Sequence, residues 1–95
     1  MIYGEIETDK SYYDFYDELL AYVKKNFKDV ESGLQGDAYI WIKKLDEKVA
    51  LDTFTSMRFE IKSIENGTLA QDVIKTLQRQ YPISLYTKPE SEAHE

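Results

Sequence analysis

From Val49 to Ile61 the odd positions read Val49, Leu51, Thr53, Thr55, Met57, Phe59 and Ile61, in one unbroken phase. The even positions of the same stretch include Asp52, Arg58 and Glu60, and Lys62 continues them. A period of two held over thirteen residues is the mark of a half-buried β-strand, because successive side chains point to opposite faces. It commits this part of the chain to a sheet with one apolar and one polar face. Strands usually run about 5–6 residues, so two readings stay open: one long strand, or two strands broken near Thr55-Ser56.

The run Ala38 to Leu45 alternates in the same way. A two-residue loop flanked by Leu45 and Lys48 would set Ile42 opposite Leu51, Ile40 opposite Thr53, Tyr39 opposite Phe54 and Trp41 opposite Asp52. Apolar side chains then meet on one face and aromatics gather on the other. A slip of one residue would mix the two faces, so the register parity is strongly specified. Asp46-Glu47 lacks the glycine such turns prefer; a four-residue loop keeps the same parity.

The remaining segments surround this hairpin. Ile2 to Thr8 alternates, with Ile2, Gly4 and Ile6 on one side and Tyr3, Glu5 and Glu7 on the other, giving a first strand. Ser11 then caps a helix, with Asp14 three residues on in a variant capping box. Tyr12, Phe15, Tyr16, Leu19, Tyr22, Val23 and Phe27 share its apolar face, and the acids come before Lys24, Lys25 and Lys28, as the helix dipole favours. Asp29 to Asp37 holds Gly33 and Gly36 and reads as a loop. Its acids lack the ligand spacing of a calcium loop.

Glu65-Asn66-Gly67 reads as a turn. Thr68 and Gln71 form a capping box for a second helix with the stripe Leu69, Val73, Ile74, Leu77 and Tyr81, stopped at Pro82. Ile83, Leu85 and Thr87 alternate with Ser84 and Tyr86 in a last strand. Residues 88–95 are polar and without period, and read as a disordered tail beyond a single domain of residues 1–87.

Strand, helix, strand, strand, helix, strand is the ferredoxin-like βαββαβ order of an α+β domain. Right-handed crossovers put both helices on one face of an antiparallel sheet. The helix-facing residues are then Ile2, Ile6, Ile40, Ile42, Val49, Leu51, Ile83 and Leu85. The open face carries Tyr3, Tyr39, Trp41, Phe54 and Tyr86, with Glu5, Asp52 and Lys43 among them. An exposed patch of this kind marks an interaction site, and aromatics are enriched where proteins meet. The plainer account is that aromatics simply suit a pleated surface, where cross-strand pairs such as Tyr39 with Phe54 stabilise a hairpin by about 0.2–1 kcal/mol.

Composition narrows the function classes. The chain has 95 residues, 42% of them hydrophobic, and no cysteine. Disulfides, thiolate metal sites and cysteine nucleophiles are excluded, and a reducing, cytoplasmic setting is the expectation. The start, Met1 to Glu5, is no signal peptide, and no stretch approaches the ~20 apolar residues of a membrane span. Asn66-Gly67-Thr68 matches a glycosylation acceptor, which has meaning only in a secreted chain. With 18 acidic and 12 basic residues the net charge is −6. That charge, with Glu5 and Asp52 on the open face, opposes nucleic-acid binding. Leu51-Asp52-Thr53-Phe54-Thr55 also lacks the third-strand pattern of RNA-recognition modules.

No catalytic constellation stands out. His94, the only histidine, is the penultimate residue, and a general base must be held in place. The glycines are isolated, the serines lack a partner base, and a chance pairing such as Asp37 with Asp52 is expected among 18 acids. Phe15, Leu19, Met57 and Phe59 could line a pocket between helices and sheet, but read more simply as core.

The expectation is a non-catalytic interaction or accessory domain that binds a protein partner or itself through its aromatic face, with no cofactor, metal, nucleic acid or membrane. The alternatives are a small-molecule-binding or enzymatic domain, and an acidic inhibitor or immunity-type protein for a basic partner.

Overall fold

The computed structural model describes residues 1–54, 56–63 and 67–90, with the side chains of residues 89 and 90 left aside. Thr55, Ile64-Glu65-Asn66 and the last five residues, His94 included, lie outside the described residues. So do Thr55 of the strand break considered near Thr55-Ser56, most of the expected turn at residues 65–67 and most of the expected tail.

The elements run β1 (Ile2–Ile6), α1 (Tyr12–Asn26), β2 (Asp29–Gln35), β3 (Asp37–Lys44), β4 (Glu47–Asp52), β5 (Glu60–Ser63), α2 (Thr68–Gln78) and β6 (Ile83–Glu90). One six-stranded sheet has the order β2-β3-β4-β5-β1-β6, and every neighbouring pair is antiparallel. The α+β class and the single antiparallel sheet hold. The ferredoxin-like order does not: six strands replace four, and α1 carries the chain from β1 to the far edge of the sheet rather than to a near neighbour.

The source of that difference is the segment Asp29 to Asp37, a strand rather than a loop. Val30, Ser32 and Leu34 oppose Ile42, Ile40 and Ala38, and Val30 and Leu34 pack against the core. With two apolar residues and a glycine, β2 has little strand propensity of its own. Pairing with β3 holds it there, through a tight turn at Gly36, where φ is +80°. Tyr12 Oη donates to Gly36 O at 2.6 Å, tying α1 to this turn.

The hairpin β3–β4 keeps the expected parity with a register two residues away. Its loop is Leu45-Asp46, and Ile42 faces Val49, Ile40 faces Leu51, Trp41 faces Ala50 and Tyr39 faces Asp52. The faces survive because a two-residue shift preserves alternation. The run 49–61 is two strands, β4 and β5, joined across residues 53–59.

Both helices feed one core. Phe15, Tyr16, Leu19 and Val23 of α1 and Leu69, Ala70, Val73, Ile74 and Leu77 of α2 join Ile6, Ile40, Ile42, Val49, Leu51, Phe59 and Ile61. Ser11 Oγ accepts from Asp14 N at 3.3 Å, the expected cap of α1. Tyr22 Oη donates to Thr76 O at 2.6 Å, joining the helices. Helix α2 ends at Gln78, short of Tyr81. Tyr81 still packs edge-on against Phe15 and Tyr22, at 5.1 and 5.5 Å between ring centres. Burial, with Glu18 beside it, pushes the Tyr81 phenol up to about 12.

Two further expectations change. The cap of α2 falls at Gly67, not Thr68, and Leu69 N donates to Glu47 Oε1 at 3.2 Å. A Cβ at Gly67 would collide with that carboxylate. The fold thus draws its helix cap from β4, beyond the reach of a local motif. Met57 is exposed rather than lining a pocket, while Phe15, Leu19 and Phe59 are plain core. Residues 88–90, expected in the tail, continue β6.

Candidate functional site

The site is the sheet face that carries no helix. Antiparallel neighbours share a face, so the register assigns its occupants. One cross-strand row runs Gly33, Tyr39, Asp52, Glu60, Glu5 and Ser84. The next runs Glu31, Trp41, Ala50, Lys62 and Ile2, and beyond it lie Asp29, Lys43 and Lys48.

Three of the five expected aromatics come together here. The Tyr39 ring lies 4.6 Å from Trp41 and 6.4 Å from Phe54, centre to centre. Tyr39 and Trp41 are half-buried and Phe54 is 51% exposed. Tyr39 also covers Gly33 across the strand pair, so closely that a Cβ there would strike its ring. Glycine in β2 therefore makes room for the aromatic in β3. Phe54 is aimed by Asp52, whose Oδ1 accepts from Phe54 N at 3.3 Å as the chain leaves β4.

Tyr3 is a correction. It is buried and belongs to the core cluster, not the open face. The cause is a bulge between Ile2 and Gly4, where two steps along β1 match one along β5. An extra residue reverses the alternation on one side of it. The same bulge moves Ile2, expected toward the helices, into the row of Lys62 on the other face. Tyr86 is half-buried on β6, four strands from β3, about 19 Å at the usual strand spacing. It does not join the cluster.

Charge surrounds the rings in an ordered way. Lys48 Nζ stands 4.1 Å and Lys43 Nζ 5.9 Å from the Trp41 ring centre, a cation–π arrangement. Glu31 accepts from Lys43 at 2.8 Å and holds its ammonium pKa above the usual lysine value. Lys62 Nζ lies 5.8 Å from the Phe54 ring centre and 2.6 Å from Asp52 Oδ1, with both side chains nearly closed to solvent. Arg58 reaches Glu5 at 3.6 Å and pairs with Glu7. Burial, with Glu7 and Glu60 nearby, raises the Glu5 carboxyl above the usual range despite Arg58.

Sequence reasoning missed the Asp52–Lys62 pair. The signal available was two opposite charges on the same face of adjacent strands, which only the register joins. Asp37, raised as a partner for Asp52, is exposed. Among the described residues no three His, Asp or Glu side chains are grouped to hold a metal ion, and no helix is long and apolar enough to cross a membrane. The chain matches no family model, no curated protein and no solved structure.

Proposed function

We propose that this chain is a non-catalytic interaction domain that pairs with a second copy of itself through the helix-free face, centred on Tyr39, Trp41 and Phe54. One observation carries this reading: the order of groups along the strands. Lys48 stands at one end, beside a Lys43 already paired with Glu31; Trp41 and Tyr39 follow, and Asp37 marks the other end. A two-fold contact is self-complementary by construction. Stacking one face on another in opposite directions brings ring against ring and Lys48 of each copy toward Asp37 of the other.

No helix covers this face, Ile2, Asp52, Glu60 and Lys62 on it are already buried within the chain, and the part left to a partner is the side of Tyr39, Trp41 and the exposed Phe54. Charge at the two ends sets direction more than affinity. The net charge of −6 works against self-association, and the Lys48–Asp37 contacts offset part of that repulsion.

Light scattering across a concentration series tests the proposal. A dimer is expected in the micromolar range. Trp41→Ala with Phe54→Ala should give a folded monomer. A wild-type chain that stays monomeric at millimolar concentration overturns self-association. Capture of a specific different protein, lost in the same double variant, would then favour the hetero-partner form of the reading.

A small-molecule or enzymatic role has one observation in its favour, the carboxylate row Asp52, Glu60 and Glu5. Asp52 is already held by Lys62, and Glu5 lies beside Arg58, which leaves both poorly placed as free bases.

A further inference from the structure

The cations of this acidic chain are unevenly placed. A groove of about 330 Å³ runs between the end of α1 and the length of α2, with Lys44, Lys75 and Arg79 on its walls beside Asn26, Phe27 and Asp72. A second hollow of about 470 Å³ shares Asn26, Phe27 and Lys44 and adds Lys28, Lys43, Asp29 and Leu45. Across both, five cations face two carboxylates, the reverse of the balance in the whole chain. The groove lies on the helix side of the sheet, while the second hollow reaches round its edge to Lys43 and Asp29 of the helix-free face.

Lys43 is held by Glu31. Lys44, Lys75 and Arg79 are different: no side-chain hydrogen bond or ion pair joins any of them to a described residue. Lys75 and Arg79 are four apart on α2 and so stand one above the other on the same helix face. Lys44 ends β3 on the helix side, opposite Glu47. Glu47 is engaged elsewhere, at Leu69 N. Three cations without a side-chain partner among the described residues repel each other around one concavity, the C-terminal ends of α1 and α2 offset part of that cost, and an anion placed among them removes the rest.

We propose that this groove binds a phosphorylated small molecule, its phosphate among Lys44, Lys75 and Arg79 and its apolar part against Phe27. A phosphate carries charge enough for several cations, and a guanidinium fork matches two of its oxygens. Asp72, one turn before Lys75 on α2, is the carboxylate on the wall of this groove. Phe27 is half-buried and walls both hollows, which are of the size that holds small ligands.

The test is an amide-resonance titration of the full chain at constant ionic strength, with inorganic phosphate and phenyl phosphate as probes. Both should give saturating shifts confined to residues around Lys44, Phe27, Lys75 and Arg79. Phenyl phosphate should bind about fivefold or more tightly than inorganic phosphate, because its ring packs on Phe27. Lys75→Ala with Arg79→Ala, both exposed and so compatible with folding, should weaken both ligands about tenfold or more. Lys24→Ala with Lys25→Ala should change neither. The proposal is overturned if no localised saturating shifts appear into the tens of millimolar. Equal affinity for the two probes, or equal losses in the two double variants, overturns it as well.

Discussion

Lys62 Nζ sits 2.6 Å from Asp52 Oδ1, and the two side chains keep only 6% and 5% of their exposure. They are diagonal neighbours on β5 and β4, since Lys62 opposes Ala50 and Asp52 opposes Glu60. A buried ion pair is costly to make and more costly to break, because the survivor is left charged in a poor solvent. Lys62→Met should therefore lower unfolding free energy by about 3–5 kcal/mol in denaturant titrations. Lys62→Met combined with Asp52→Leu should recover much of the loss, since both charges then vanish together. If the double variant is no more stable than the single one, the pair is not the source of the effect.

Asp52 also accepts from Phe54 N, so the same carboxylate supports the core of the sheet and aims the exposed ring. Asp52→Asn keeps an oxygen for Phe54 N but removes the charge facing Lys62. A stability loss without loss of dimer is expected. Asp52→Ala should lower both, read by denaturation and light scattering on the same sample.

Glu47 caps α2 from a neighbouring strand, and its negative charge also lies favourably at the helix N-terminus. Glu47→Ala should cost about 1 kcal/mol, the usual worth of a cap. Gly67→Ala should cost at least as much, because its methyl group displaces the Glu47 carboxylate. The two losses should not add in the double variant, since they remove one interaction. Full additivity in thermal melts would show that Gly67 acts in another way.

Much of this fold was legible in the sequence, for a definable reason. The helices, β1, β3 and β4 announce themselves through local period, α1 also through its cap, and the two faces of β3–β4 follow from parity alone. What escaped was non-local. β2 has too few apolar residues to look like a strand until β3 lies beside it. The bulge at Tyr3 leaves no trace in a five-residue run, yet it exchanges Tyr3 and Ile2 between faces. The same limit applies to the site. Tyr39, Trp41 and Phe54 were visible as one face of a hairpin. Asp52 with Lys62, and Glu47 with Leu69, depend on which strand neighbours which, and no spacing encodes that.

Glu5 gives the pH prediction. Burial, then Glu7, raises its carboxyl pKa in the folded chain above the value in the unfolded one. The folded state then holds the proton more tightly, so stability falls as pH rises through the window between the two values. Below the unfolded value both states are protonated and the difference disappears. Glu5→Gln should thus raise the melting temperature at neutral pH and leave it nearly unchanged in strong acid. A variant that is less stable at neutral pH would mean that the contact with Arg58 outweighs burial and the neighbouring acids.

Leu45 carries a different kind of cost. It occupies the tip of the β3–β4 hairpin with φ at +56° and 95% exposed. A leucine in the left-handed region is strained by about 1–2 kcal/mol, and here no burial compensates it. Leu45→Gly should relieve the strain and Leu45→Asn most of it, for a net gain of about 1 kcal/mol in chemical denaturation. Glycine also loosens the unfolded chain, so asparagine gives the cleaner comparison. Leu45 walls the larger basic hollow, so the two properties can be read in one variant. Leu45→Asn should melt higher and bind phenyl phosphate no more tightly than the wild type. A variant that is destabilised would show that the leucine makes contacts worth more than its backbone strain.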